Sequence, residues 1–422
     1  MLGLAAPAFG ALAAGPLYTL ADTAIVGHLG PRPLAALALA GTVLTGTVEI
    51  ADFLSYGVTS RIARLQAAGE PERARAVAAQ ALWLSLAAGL VTVAVLAGIG
   101  GPLISVIGRG AGVHGRAVLY LRIALIGIPA QLVALAGEGC LRGLGDLRSP
   151  LRILVVANAA NVVLELVFVL ALHMGLAGSA LGTVLAQLAM GAAFGRRMLA
   201  TAGTSRRPRP AEMRPLLRTG GHLTIRTMAL LGAFTLSSAL AARMGTASLG
   251  AHQVAFELFL FLALGLDAIA IAGQILIARL LGAGDAAAAR RSARRMIGWS
   301  VACGIVLGGV LAALSGVGPS AFGGGHAVIA RGHATWRLLG LMQPVAAAVF
   351  ALDGILIGAG DTRYLAWAMT ASLAVFAPLA LLAPDLTALW WALNGLVFFR
   401  LLTLVPRFVR GGWAVVGATA PG

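Results

Sequence analysis

Apolar residues run through this chain in long, nearly unbroken stretches rather than in the short alternating patches of a soluble fold. The first extends from residue 2 to about 27, and others lie at 34–60, 76–98, 117–141, 150–172 and 176–199. Six more follow at 216–242, 249–278, 288–314, 333–357, 363–383 and 387–408. Each is long enough to cross roughly 30 Å of hydrocarbon at about 1.5 Å per helical residue. The pattern predicts an all-α polytopic membrane protein with twelve transmembrane helices. Residues 200–215, with the sequence ATAGTSRRPRPAEMRP, are rich in Arg and Pro and break the pattern. They read as a linker between an N-terminal six-helix lobe, 1–199, and a C-terminal six-helix lobe, 216–422. The first stretch contains ALAAG, which looks like a signal-peptide cleavage site. No charged segment precedes it and the apolar run continues beyond it, so it is expected to remain as the first helix.

The halves repeat at a constant offset of 215 residues. IARLQAAGE at 62–70 aligns with IARLLGAGD at 277–285, and CLRGLGDLR at 140–148 with ILIGAGDTR at 355–363. Gly30 matches Gly245, Arg122 matches Arg337, and Pro129 matches Pro344. An even number of helices per half implies parallel repeats related by an axis along the membrane normal, with a substrate path between them.

Composition narrows the class further. The 422 residues are 59% hydrophobic and 11% charged, and the formal charge of +16 comes from 31 arginines, with no Lys, against 15 acids. Such a charge could serve nucleic acid, but the arginines cluster between apolar runs and carry no reading motif, so nucleic-acid binding is excluded. Arginines concentrate after the even-numbered helices, including Arg61, Arg64, Arg142, Arg148, the group from Arg196 to Arg214, and Arg290 to Arg295. With Arg400, Arg407 and Arg410 counted as tail residues, the positive-inside rule places both termini in the cytoplasm. Abundant Arg, Ala and Gly without Lys suggests a bacterium with a GC-rich genome, and hence its plasma membrane. Cys140 and Cys303 stand alone in apolar settings, and the seven histidines, mostly in expected loops, show no metal-ligand spacing. Neither a disulfide framework nor a metal site is expected. HExxH, GxSxG and Walker A motifs are lacking, so the sequence points away from an enzyme or an ATP-driven pump.

Candidate chemistry rests on intramembrane acids, which cost about 2.5–3.5 kcal/mol near a helix centre on insertion scales. Asp22 lies deep in the first stretch, in PLYTLADTAIVGHLG. Asn158, Asn161 and Glu165, spaced i, i+3, i+7, share one face of the fifth helix, and Thr183 and Gln187 form an i, i+4 pair on the sixth. Such a stripe suits a proton or ion site; it could also serve as glue between helices. The repeat sorts the remaining acids. Asp52 matches Asp267 and Glu138 matches Asp353, so these four are secondary candidates that belong to the duplicated scaffold. Asp22 faces Ser237 and Glu165 faces Ala380, while Glu49 and Glu257 are also unmatched, Glu257 remaining a secondary candidate. Phe256, Phe259 and Phe261 are read as packing or lipid contacts rather than as the lining of a cation cavity.

These segments together resemble the multidrug and toxic compound extrusion (MATE) transporters, within them the DinF-like branch. The likeness rests on LAAPAFGAL and LADTAIVGHLG in the first helix, LGPRPLAALALA, NAANVVLEL, MGLAGSALGTVLAQ, LGAHQVAFEL, LDAIAIAGQILIARLLGAGD and LDGILIGAGDTR. It implies a MATE-type fold, no cofactor beyond a coupling ion, H+ or Na+, and export of drug-like amphipathic cations by a monomer among membrane lipids. It also implies that Asp22, Asn161, Glu165 and Thr183 form the polar cluster of the N-terminal lobe. Glu165 stands where the family usually has Asp, and the chain begins unusually close to its first helix, which points to an upstream start. A lipid-linked precursor flippase of the same wider superfamily is the alternative; it would need an Arg-rich cavity, and Arg226 is the main arginine within a helix.

Orientation is open to a direct test. Single cysteines placed at Ser205 and Ser320 should react differently in intact cells, a membrane-impermeant thiol reagent labelling position 320 and sparing 205. Labelling of 205 but not 320 would reverse the orientation.

Overall fold

The computed structural model describes residues 2–108, 112–202, 206–322 and 325–418. Among these, twelve helices are long and apolar enough to cross a membrane. The first is Leu2–Gly27, followed by Pro31–Ala67, Pro71–Ile107, His114–Leu144, Arg148–Ala171 and Gly175–Thr201. The seventh to twelfth are Pro210–Arg243, Thr246–Gly282, Ala286–Leu314, His326–Ala359, Thr362–Leu381 and Leu386–Arg410. Most are longer than the apolar runs, because polar turns beyond the hydrocarbon stay helical. The clearest case is the seventh helix, which starts at Pro210, inside the segment expected to be linker. Proline suits a first helical position, and Glu212 in the first turn complements the helix dipole. The preceding residues are tied to the third helix. Gln80 donates to the Arg207 carbonyl at 3.0 Å and accepts from the Arg209 N–H at 2.8 Å, and Trp83 donates to the Arg206 carbonyl at 2.8 Å.

The chain forms two compact units, Ala6–Gly220 and Gly221–Gly422 with the first five residues. The matched residues of the repeat turn out to be turn and contact chemistry. Gly145 and Gly360 end the fourth and tenth helices in left-handed conformations, with φ 92° and 81°. Only a residue without Cβ takes these cheaply. Each glycine is succeeded by an aspartate that anchors a neighbouring segment: Asp146 accepts from the Ser149 N–H at 2.9 Å, and Asp361 binds Arg407 at 2.6 Å.

Close helix contacts are duplicated atom for atom. A Cβ added at Gly139 would lie 2.4 Å from the Ser55 carbonyl oxygen, and one at Gly354 would lie 2.3 Å from that of Ala270, the repeat partner of Ser55. Four residues on, Gly143 and Gly358 press against the Thr59 and Gln274 carbonyls in the same way. These are paired GxxxG contacts, in which small residues let backbones approach within a membrane protein. Pro129 packs against Gly89, and Pro344 against Gly304. The cores then diverge. The C-terminal unit packs Trp390, Phe376, Leu389 and Leu339 in one apolar cluster. Phe234 meets Phe256 edge-on at 5.0 Å, Phe259 is buried nearby, and Phe261 is 63% exposed on the outside. His252, one of the histidines outside the loops, lies fully buried in the eighth helix, 3.2 Å from Ser238 and stacked on Phe256.

The glycine contacts generate a prediction. Gly139→Ala and Gly354→Ala should each destabilise by about 1–3 kcal/mol through overpacking against backbone. Gly309→Ala, on an exposed face with nothing within 4 Å of the new Cβ, should not. Thermal unfolding of the purified protein, followed by fluorescence-detected size exclusion, compares them.

Candidate functional site

In the N-terminal unit the first, fifth and sixth helices converge on a polar cluster. Asp22 sits two turns after Pro16, a residue that removes one backbone hydrogen bond from the first helix. Asp22 is buried and accepts from the Ser179 hydroxyl at 2.8 Å. Glu165 is completely buried and accepts from the Thr183 hydroxyl at 3.3 Å. The two carboxyl groups reach each other. Tyr18, one turn before Asp22, bonds Thr183 at 3.0 Å, and Asn158 donates to the Ala14 carbonyl at 2.9 Å, fastening the fifth helix to the first.

Local backbone features position this cluster. Glu165 is the last α-helical residue before a π-helical turn, Leu166–Ala171, and such turns mark an inserted or re-aimed residue. Gly182 gives it room, since a Cβ there would lie 3.1 Å from Glu165 Cγ and 3.5 Å from Asn161 Oδ1. In the fourth helix a 3₁₀ turn, Leu125–Gly127, presents Gly127 directly to the Gln187 side chain.

A cavity of about 360 Å³ adjoins the cluster, lined among others by Tyr18, Asn158, Asn161, Thr183 and Gln187. Asn161 Oδ1, Glu165 Oε2 and Gln187 Oε1 are buried without a hydrogen-bond partner. All three are acceptors. Among the described residues the ion pairs include no basic partner for Asp22 or Glu165.

The five primary candidates, Asp22, Asn158, Asn161, Glu165 and Thr183, therefore come together. The secondary acids scatter. Asp52 lies at a turn inside the second helix and lines the cavity, as does Glu138, whose carboxylate binds Arg142 at 2.6 Å. Asp353, in the other unit, binds both Arg226 and Arg400 at 2.6 Å. Asp267 is half-buried, and Glu257 is exposed and accepts from Gln253 at 2.8 Å. Two arginines read as loop or tail charges are thus corrected: Arg142 and Arg400 are buried within helices, each held by a carboxylate.

Sequence reasoning missed Tyr18, Tyr120 and Ser179. Tyr18 is four residues before Asp22 and Ser179 four before Thr183, so helical spacing could have found both. Tyr120, buried in the fourth helix, lies near Thr183 and Ser179, and nothing in its sequence neighbourhood signals this.

The repeat shows what is special to this half. Opposite Tyr18, Asp22 and Glu165 stand Ala233, Ser237 and Ala380, and opposite Asn158 and Asn161 stand Leu373 and Phe376. Ala233, Phe376 and Ala380 are fully buried in the C-terminal apolar core, with Leu373 packed against it. The equivalent positions are mostly apolar in one unit, Ser237 and Asn394 (opposite Ser179) apart, and polar in the other.

Known proteins share this architecture. The family model described as MatE matches residues 7–167 and again 224–382, once in each half. Protein DETOXIFICATION 44, chloroplastic, of Arabidopsis thaliana is 29% identical over 100% of this chain and 82% of its own length. DNA damage-inducible protein F of Escherichia coli strain K12 is 29% identical over 94% of this chain and 88% of its own. Among solved structures, a MATE crystal structure in the bent conformation superposes with a TM-score of 0.89 at 20% identity, covering 97% of this chain and 93% of that one.

Asp353 tests the division between paired and unpaired acids. Asp353→Asn would leave two buried guanidinium groups facing each other, and breaking such a pair costs about 3–5 kcal/mol. The expected result is loss of folded protein, partly recovered by adding Arg400→Leu. Normal yield of Asp353→Asn without transport would show instead that Asp353 serves coupling.

Proposed function

Because the chain belongs to the MatE family, the multidrug and toxic compound extrusion transporters, we propose that it is a secondary antiporter. It exports amphipathic, often cationic compounds in exchange for H+ or Na+, by alternating access between two lobes. It does so in a bacterial plasma membrane with both termini cytoplasmic. Members of the family are transporters and not enzymes. The reading is supported above all by Asp22 and Glu165, two neighbouring buried carboxyl groups with no basic ion-pair partner among the described residues, where Glu165 Oε2 itself, Asn161 Oδ1 and Gln187 Oε1 are unpartnered acceptors.

Charge cost supplies the mechanism. Two like charges about 4 Å apart at an effective dielectric of about 20 repel by about 4 kcal/mol. The site therefore favours a cation between the acids, either a proton on one of them or a Na+ among the oxygens. Binding that cation removes the repulsion and lets the first helix settle against the fifth and sixth. Losing it drives them apart, and Pro16, where the helix lacks a backbone hydrogen bond, is the natural place for the bend. A cation shifts such an equilibrium only by its differential affinity for the two states, which the separation of the carboxylates provides. Entry of the cation from outside favours one state and its release inward the other. The membrane voltage adds about 2.3 kcal/mol per charge per 100 mV. The cavity beside the cluster, with Tyr18 and two asparagines on its wall, is suited to an amphipathic cation. A flippase reading is less well supported, because Arg226, which would have to meet a lipid phosphate, is engaged with Asp353 together with Arg400.

Three variants test the coupling in proteoliposomes, with pH and Na+ gradients imposed separately. Asp22→Asn and Glu165→Gln should lose most gradient-driven efflux at matched folded protein, while equilibrium substrate binding survives. Glu165→Asp keeps the charge and should be far milder. Full gradient-driven efflux by Asp22→Asn would remove Asp22 from the mechanism.

A further inference from the structure

The third and ninth helices are repeat partners, yet their first turns treat charge differently. On the third, Arg73 and Arg75 are neutralised by Glu70 and Glu72, and Gln80 holds the backbone ahead of the seventh helix. On the ninth, the position of Glu72 is taken by Ala287, and those of Ala76, Ala79 and Gln80 by Arg291, Arg294 and Arg295. Arg290 keeps the place of Arg75. Asp285 is committed to capping the helix through the Ala288 N–H at 2.7 Å. All four arginines are exposed, and none takes part in an ion pair among the described residues. The segment Gly411–Gly417, which packs onto this end through its Gly417 N–H to the Leu281 carbonyl at 2.9 Å, brings no carboxylate.

At about 100° per residue, positions 290, 291, 294 and 295 occupy one arc of roughly 140°. Further along the helix Ile305 lies within that arc, and Val306 and Trp299 lie about 20° and 40° beyond its edge; Trp299, Ile305 and Val306 are 72%, 57% and 64% exposed. Large apolar side chains this open on a membrane helix face acyl chains, and Trp299 lies about 6 Å along the axis from Arg295, at the depth where tryptophan marks the interface. One face thus presents four unpaired guanidinium groups at headgroup level above an acyl-facing stripe.

We propose that the first three turns of the ninth helix form a docking surface for an anionic phospholipid, its headgroup phosphate held by the group Arg290, Arg291, Arg294 and Arg295 and its acyl chain lying along Trp299 and Val306. Arginine suits phosphate through paired N–H donors. The acyl-facing continuation selects a lipid over free phosphate, which would gain nothing from it. Each arginine near an anionic surface contributes roughly a fivefold preference, so the set should favour an anionic over a zwitterionic lipid by about tenfold or more.

The experiment uses the full chain in nanodiscs of phosphatidylcholine, doped with chain-brominated phosphatidylglycerol or chain-brominated phosphatidylcholine at equal mole fraction. Quenching of Trp299, taken as the difference between the wild type and Trp299→Phe, reports which lipid lies against it. Phosphatidylglycerol should quench with about a tenfold lower effective concentration, and the preference should collapse at about 1 M salt, where the Debye length is about 3 Å. Replacing all four arginines by glutamine should abolish the preference, and Arg73→Gln with Arg75→Gln should leave it intact. Equal quenching by the two lipids, a preference insensitive to salt, or one retained by the fourfold variant would overturn the proposal. The wild-type salt series decides the matter even if the fourfold variant fails to fold.

Discussion

Charge in a low-dielectric interior must be paired, or it must be neutralised by an ion that can leave, and this constraint separates the acids of the chain into two kinds. Asp353 is clamped by Arg226 and Arg400, and Glu138 by Arg142, so these charges are fixed parts of the scaffold. Asp22 and Glu165 have hydroxyl donors from Ser179 and Thr183 but no guanidinium partner among the described residues. A hydroxyl stabilises a carboxylate without cancelling its charge. The first kind is fixed by its partner, whereas the second, on the proposed antiport reading, would change with the cation it holds.

Duplication makes the contrast informative. The backbone contacts of the second and fourth helices recur in the eighth and tenth down to individual carbonyls, with Gly139 and Gly143 on Ser55 and Thr59 matched by Gly354 and Gly358 on Ala270 and Gln274. Against that constant frame, the side chains lining the helix-one, helix-five and helix-six junction differ completely. One copy keeps Tyr18, Asp22, Asn161 and Glu165, and the other fills the same positions with Ala233, Ser237, Phe376 and Ala380. Polar groups in the membrane are costly, so a fold that can pack this junction largely with apolar side chains and keeps two acids there in one half does so for something other than stability.

The helices, the repeat and the primary site were legible because each leaves a period in the sequence. Twenty apolar residues, an offset of 215, and an i, i+3, i+7 stripe are all one-dimensional signals. Pairing across the bundle leaves no such trace. Arg400 looked like a tail charge because it is near the end of the last apolar run, and only the approach of the twelfth helix to the tenth brings it to Asp353. His252 and Tyr120 were hidden for the same reason, each in an apolar stretch whose polar partner lies on another helix. The linker is shorter than its polarity suggests, because the polar first turns of the seventh helix are helical from Pro210 onward.

Glu165 shows how an acid one methylene longer than aspartate is accommodated. The extra methylene carries the carboxylate further toward Asp22, and the space for it comes from Gly182 on the facing helix, where even a methyl group would lie 3.1 Å from Glu165 Cγ. In the C-terminal half the corresponding pair is Ala380 and Val397, so a large residue facing a small one is exchanged for the reverse. Packing volume at the junction is thereby balanced in both copies while polarity is not. The π-helical turn that begins at Leu166 belongs to the same adjustment, since it comes directly after Glu165 and the eleventh helix, whose equivalent residue is alanine, is α-helical through that position. The longer acid is therefore built into the backbone of its helix and into the gap opposite it, and its reach toward Asp22 is a property of the whole junction.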